Sequence, residues 1–221
     1  MEAKNIEDTF IKNQFIKKTL QSASNIYCVS EYASSFITPY NSDVRILHNC
    51  VEDRVINFNF EKKDGKIKLL SLGTVEPRKA FDVIVDAISL LKPEDYNNIE
   101  YYFAGREIKL KSAPTYFNDL MLKIQKYDNI HYLGALTSEA ELDSAYRMCD
   151  AVLIPSRDES YSLVALEALM YGKPIVVSKN VGAKYLVSSN NGVIVDTGDS
   201  VAWAKHTYKR NSEINPYTLL W

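Results

Sequence analysis

The chain has 221 residues, of which 46% are hydrophobic and 24% charged, and its formal net charge is −2. This balance is typical of a globular protein and excludes the strongly basic surface expected of a protein that binds nucleic acid. No segment reaches the roughly 18 apolar residues of a membrane span, and no signal peptide is evident, so we expect a cytoplasmic protein, with the inner face of the membrane as an alternative location.

The first part of the chain predicts a small unit of two helices and two short strands. Apolar residues recur at helical spacing over residues 4–22, and another helix is predicted over 31–37. Short apolar runs at 25–30 and 44–48 are typical of buried strands. A polar stretch with an Asp64-Gly65 turn follows. We place a domain boundary near residue 60, which separates residues 1–60 from residues 61–221.

The second part predicts a doubly wound α/β domain, because apolar strands alternate regularly with amphipathic helices. Alternation of this kind indicates a parallel sheet covered on both faces. Its ligands are expected beyond the carboxyl ends of the strands. The strands are predicted at residues 67–72, 99–104, 130–133, 151–154, 174–177 and 192–195. Helices are predicted at 81–91, at 116–127, at 163–171 and near 183–187, and another begins at a capping box formed by Ser138 and Glu141. Gly172 ends the helix at 163–171.

The loop after the first of these strands reads Gly73-Thr-Val-Glu-Pro-Arg-Lys79. Pro77 is typical of a helix start, so Arg78 and Lys79 should lie near the helix N-terminus. Cations at that end cost about 0.3–1 kcal/mol each. Two of them together indicate a bound anion such as a pyrophosphate. The alternative is a pair of solvated surface charges.

The loop after the strand at 151–154 leads from Glu159 to Glu167, with seven residues between them. Glu167 falls inside a helix that is apolar nearly all round, so its carboxylate needs hydrogen-bond donors. The hydroxyls of a ribose would serve, and so would a lysine or a backbone amide. The amides of Ser162, Leu163 and Val164 open this helix without partners within it. Together with Arg78 and Lys79, they would form a diphosphate cradle.

An ordered series of motifs resembles the group-1 glycosyltransferases with the GT-B fold. The run from Pro155 to Gly172 is similar to the E-x7-E signature of that family, and the resemblance extends from about Asn25 to Ala202. The other matching segments are His48–Glu52, Gly73–Lys79, Tyr102–Gly105, His131–Gly134 and Gly172–Val177.

The resemblance implies a role for each site residue. Glu159 would be the catalytic carboxylate that contacts hydroxyls of the donor sugar, Glu167 would hold the ribose, and Lys79 the diphosphate. Backbone groups near Tyr132 to Gly134 would hold the base. A hexose would pass from a nucleotide-diphosphate sugar to a glycan or lipid-linked glycan acceptor with retention, and neither a metal nor another cofactor would be needed.

Several positions depart from the family pattern. Thr74 stands where the family often has arginine, and Arg78 is expected to supply that charge. Ser162 replaces a glycine close to the donor, and Ala80 replaces the glycine after the lysine.

About 60 residues precede the boundary, so we expect an incomplete N-terminal acceptor domain and a chain that is inactive alone. Such a chain would associate with the missing half or with itself. A non-catalytic nucleotide-sugar-binding module is the main alternative. A GT-B epimerase is a weaker one, because epimerases lack this E-x7-E context.

Overall fold

The computed structural model describes residues 14–52 and 65–207. The first of these segments contains the elements expected of it. They are α1 (Gln14–Ser22), β1 (Ile26–Cys28), α2 (Glu31–Ser35) and β2 (Val44–Ile46). β1 and β2 pair in parallel as a separate two-stranded sheet. The start of the helix predicted at residues 4–22 lies outside the described residues, as does most of the predicted boundary region, so the boundary stays a prediction.

The second segment forms a six-stranded parallel sheet, which confirms the predicted doubly wound fold. Its strands are β3 (Ile67–Leu72), β4 (Ile99–Ala104), β5 (Ile130–Tyr132), β6 (Ala151–Ile154), β7 (Ile175–Ser178) and β8 (Gly192–Val195). They are arranged in the order β5-β4-β3-β6-β7-β8. The chain winds outward from β3 to β5 and then crosses back to β6, so the strand order reverses between β3 and β6.

Helices connect these strands and cover both faces of the sheet. Two of them, at Pro93–Tyr96 and Ser200–Thr207, are absent from the sequence prediction. Short 3-10 turns occupy Pro77–Lys79 and Gly182–Leu186. The helices are α3 (Phe81–Ser89), α4 (Pro93–Tyr96), α5 (Tyr116–Ile124), α6 (Glu139–Met148), α7 (Leu163–Met170) and α8 (Ser200–Thr207). Among the described residues, none of these helices has the length and apolar character that a membrane crossing requires.

Two apolar cores flank the sheet because neighbouring side chains of a strand point to opposite faces. Leu69 of β3 belongs to one core, with residues of α3, α5 and α8, including the fully buried Trp203. Leu70 belongs to the other, with residues of α6 and α7, including Tyr146 and Ala165. Burial of both faces explains why β3 reads as a nearly continuous apolar run.

Candidate functional site

The loops at the carboxyl ends of β3 and β4 lie in close contact. The amide of Gly73 donates to the carbonyl of Ala104 at 3.0 Å. Gly105 has a φ of +149°, and a Cβ placed on it would lie 1.7 Å from the carbonyl oxygen of Gly73. Only glycine fits there, because any side chain would force the two loops apart. The loops that follow β3 and β4 are therefore packed tightly against each other at the carboxyl-terminal edge of the sheet.

Lys79 and Glu159 meet across this edge. The Lys79 Nζ lies 2.8 Å from Glu159 Oε1, and the two side chains are only 12% and 11% exposed. The Ser156 hydroxyl donates to the other carboxylate oxygen at 2.7 Å. The two residues follow neighbouring strands, β3 and β6, so the pair lies where the strand order reverses. Two residues 80 positions apart thus form one shielded, oppositely charged pair.

Arg78 and Lys79 lie near the N-terminus of α3, as predicted, and belong to a separate 3-10 turn. Pro77 begins the 3-10 turn Pro77–Lys79, Ala80 caps it with a φ of +56°, and α3 starts at Phe81. The two cations therefore precede the first residue of α3. A left-handed Ala80 interrupts the helical path, a conformation that favours glycine over residues with a side chain.

Arg78 is held by a buried carboxylate that the sequence analysis missed. Its Nη2 donates to Glu76 Oε1 at 2.8 Å, and its Nη1 donates to the Asp158 carbonyl at 3.3 Å. The Thr74 hydroxyl donates to the same Glu76 oxygen at 2.8 Å. Burial alone would raise the pKa of Glu76, but the Thr74 hydrogen bond and the Arg78 charge outweigh it, so the pKa is lowered. Glu76 is thus a carboxylate that fixes the direction of Arg78.

Ser162 caps the N-terminus of α7 in an unusual backbone conformation. Its φ is 113° and its ψ is 99°, outside the regions that residues with a side chain normally occupy. Its hydroxyl is buried and has no hydrogen-bond partner among the described residues. Leu163 and Val164 follow in the first turn, as predicted, so three backbone amides open α7 close after the Glu159 loop.

Glu167 lies on α7 and pairs with a tyrosine from α6. The hydroxyl of the fully buried Tyr146 donates to Glu167 Oε2 at 2.6 Å. Burial raises the pKa of Tyr146, and the Glu167 charge adds to that effect, so the tyrosine remains a donor at neutral pH. The sequence indicated that this carboxylate needs a donor but did not identify Tyr146.

Tyr132 and Gly134 lie at the β5 side of the same edge. The Tyr132 hydroxyl donates to the Gly105 carbonyl at 2.7 Å, and the Gly105 amide donates to the Gly134 carbonyl at 2.8 Å. Gly134 has a φ of +77°, and apart from its two chain neighbours no heavy atom lies within 4 Å of the position that a Cβ would take there. The backbone at Gly134 is therefore left-handed and borders open space.

The segment 14–52 contacts the loop that carries Glu159 directly. The hydroxyl of the fully buried Ser30 donates to the Ser160 carbonyl at 2.5 Å. The Tyr32 hydroxyl donates to Asp158 Oδ1 at 2.7 Å. These contacts fix the loop on both sides of Glu159. Sequence reasoning had no signal for them, since they join residues about 130 positions apart.

These features define a Rossmann-like α/β domain. The loops described above follow the carboxyl ends of strands on both sides of the point where the strand order reverses, which is where folds of this class bind ligands. A model of the family described as "Glycosyl transferases group 1" matches residues 53–209. The chain belongs to this glycosyltransferase family, as the E-x7-E resemblance indicated.

Relatives and solved structures agree with this assignment. The chain is 32% identical over 139 residues to a D-inositol 3-phosphate glycosyltransferase of Salinispora tropica, a match that covers 61% of this chain and 29% of the relative. It superimposes on Anabaena HepE in complex with UDP and glucose with a TM-score of 0.67 at 19% identity, covering 87% of this chain and 56% of that one.

Sucrose-phosphate synthase of Thermosynechococcus elongatus gives a TM-score of 0.70 at 19% identity, over 86% of this chain and 50% of that one. These likenesses show the GT-B glycosyltransferase fold. The chain spans 29% of the length of the Salinispora tropica relative and about half the length of the HepE and sucrose-phosphate synthase chains.

Proposed function

We propose that this chain binds a nucleotide-diphosphate sugar and supplies the donor side of a hexosyl transfer that proceeds with retention. The acceptor would be a glycan or a lipid-linked glycan. The observation that carries the proposal is the shielded Lys79–Glu159 pair at the edge of the sheet, where a doubly wound fold binds its ligands. Membership in the glycosyltransferase family supports it, as does the UDP bound to the structurally similar HepE.

Each site residue takes one part of the donor in this proposal. Lys79, assisted by Arg78 and the first amides of α7, would hold the diphosphate, whose negative charge suits a helix N-terminus. Glu159 would contact the sugar hydroxyls and Glu167 the ribose, while the backbone from Tyr132 to Gly134 would hold the base. The two cations would offset the charge that develops on the departing diphosphate without a metal ion.

Replacing Lys79 tests the proposal. Lys79→Ala should weaken binding of UDP or GDP at least tenfold, the loss expected for one charge-assisted hydrogen bond. Binding of the monophosphates should change little, because the distal phosphate would lie nearest the cation. Calorimetry at two salt concentrations, with and without a chelator, measures both affinities. The diphosphate loss should shrink as salt rises.

Lys123→Ala is a matched control, since Lys123 also pairs with a carboxylate, Asp86, but on the outside of α3 and α5. It should leave both affinities unchanged. Equal loss of diphosphate and monophosphate binding in Lys79→Ala, or binding that needs a metal ion, would contradict the proposal. Tight donor binding without sugar transfer in the presence of acceptors would instead favour the non-catalytic binding module.

A further inference from the structure

Arg157 links the loop that carries Glu159 to the turn that carries Lys79. The backbone amide of Arg157 donates to the Arg78 carbonyl at 2.8 Å, and its guanidinium donates to the Pro77 carbonyl. The register of the β3–β6 pairing extends no further along β3 than Leu70, which pairs with Val152. The Arg157 contacts therefore join the two segments beyond the point where the strands pair.

Asp82 fixes the orientation of the Arg157 guanidinium. Nη1 lies 3.1 Å from Asp82 Oδ1 and Nη2 lies 2.6 Å from Oδ2, so the pair is bidentate. The Tyr116 hydroxyl donates to Asp82 Oδ1 at 2.7 Å and anchors the carboxylate from α5. Asp82 belongs to the first turn of α3, where a negative charge is favourable. A planar pair with two hydrogen bonds fixes the orientation of the guanidinium as well as its distance from the carboxylate.

We propose that Arg157 is a positioning residue that holds the Pro77–Lys79 turn at the spacing that lets Lys79 meet both Glu159 and the diphosphate. This inference rests on the proposed function, since it concerns how Lys79 is presented. The guanidinium is directed at Asp82 and the Pro77 carbonyl, so it acts on the turn and does not itself bind phosphate. Glu159 lies two residues after Arg157 in the same loop. The Arg157 side chain therefore sets the distance between Lys79 and Glu159.

Asp82→Asn distinguishes a positioning role from direct phosphate binding, because the two roles predict opposite results. Removing the carboxylate takes away a negative charge and releases Arg157, so a phosphate-binding Arg157 would bind UDP more tightly. A positioning Arg157 would lose its anchor, and UDP binding should weaken about tenfold. Arg157→Met should weaken it by a similar factor. Arg147→Met, which removes another arginine paired with a carboxylate at 2.6 Å, should leave UDP affinity unchanged.

A double-mutant cycle with Lys79 separates positioning from general destabilisation. If Arg157 acts through Lys79, Arg157→Met should cause no further loss of UDP affinity in a Lys79→Ala background. Fully additive losses would overturn the proposal. Tighter UDP binding by Asp82→Asn would also overturn it.

Hydrogen exchange in the protein without nucleotide provides a test that does not depend on the ligand. The Lys79 amide donates to the backbone carbonyl of Glu76, and the Ala80 amide donates to that of Pro77. They should exchange faster in Asp82→Asn and Arg157→Met, whereas amides of β3 and β4 should not change. Unchanged exchange in the turn would overturn the positioning role. Faster exchange in a protein that binds no nucleoside diphosphate would support that role and reject the donor-binding function.

Discussion

Ser162 combines two unfavourable features at one position. A φ of 113° is accessible chiefly to glycine, and holding another residue there costs about 1–3 kcal/mol. Its buried hydroxyl lacks a partner among the described residues, which adds a desolvation cost. Both features occur at the N-terminus of α7, beside the loop that carries Glu159. Strained residues are concentrated at functional sites, where the surrounding structure holds them in place.

Ser162→Gly should therefore raise the free energy of unfolding by about 1 kcal/mol, because relief of the strain exceeds the extra entropy of glycine in the unfolded chain. Urea unfolding followed by circular dichroism measures the change.

Ser162→Ala is the matched control, since it removes the hydroxyl and keeps the Cβ. At an ordinary position glycine is less stable than alanine, but here the glycine variant should be the more stable of the two. An alanine variant more stable than the glycine variant would contradict backbone strain at this position.

Residue types at the site could be predicted from the sequence, but their partners could not. A carboxylate in an apolar helix indicated that Glu167 needs a donor, yet nothing marked Tyr146, which reaches it from another helix. The same holds for Lys79 and Glu159, which meet only because β3 and β6 are neighbours in the sheet. Pairing between distant residues depends on tertiary packing, which local patterns do not encode.

At the scale of single elements, the capping box of α6 is a local motif that the structure confirms. The Ser138 hydroxyl accepts from the Glu141 amide at 3.2 Å, and Glu141 Oε2 accepts from the Ser138 amide at 2.9 Å. The same oxygen accepts from the Thr137 amide at 2.7 Å. These backbone donors lower the pKa of Glu141, the Thr137 amide most strongly. The motif was predictable because all its partners lie within five residues.

Glu141→Ala should destabilise the protein in a pH-dependent way. The folded pKa of Glu141 is lowered, so its contribution is present above the unfolded value of about 4.3 and is lost as the pH falls through the folded value. The stability difference between the wild type and Glu141→Ala should be constant near neutral pH and shrink in acid. Thermal unfolding over a pH series measures it.

Glu141→Gln is the control for this effect, because glutamine can complete a capping box but does not titrate. Its stability relative to Glu141→Ala should change little between neutral pH and acid. A wild-type advantage that persists unchanged in acid would argue against the carboxylate as its source.

The strands and most of the helices were predictable from the sequence, whereas α4 and α8 were not. β3, β4 and β6 lie at the predicted positions because buried strands of a parallel sheet form apolar runs. α4 escaped prediction because four residues are too few to show periodicity. α8 was also missed, although Trp203 buries its ring in the core beside α3. The alternation of strands and helices in the sequence indicated only that the sheet is parallel. The strand order depends on how the crossover helices pack, which this alternation does not determine.

At the scale of the whole molecule, the segment 14–52 holds the Glu159 loop with one part of its surface and exposes apolar side chains on another. Ser30 and Tyr32 contact the loop. Tyr27 and Leu47 are 58% and 65% exposed. Tyr27 of β1 pairs with Arg45 of β2, and the amide of Leu47, two residues after Arg45, donates to the Cys28 carbonyl at 2.8 Å. The side chains of Tyr27 and Leu47 therefore lie on one face of the two-stranded sheet. Phe15 of α1 is 78% exposed.

Exposed apolar groups of this kind favour association, because their burial removes apolar area from water. We expect the chain to self-associate as its concentration rises, and a triple variant with Phe15→Gln, Tyr27→Thr and Leu47→Thr to remain monomeric. Sedimentation velocity over a wide concentration range measures both. Leu122→Gln is the matched control, since Leu122 is 62% exposed on α5 of the larger sheet domain, and it should associate like the wild type. A wild-type chain that stays monomeric throughout, or a triple variant that still associates, would rule out these three side chains as the contact surface.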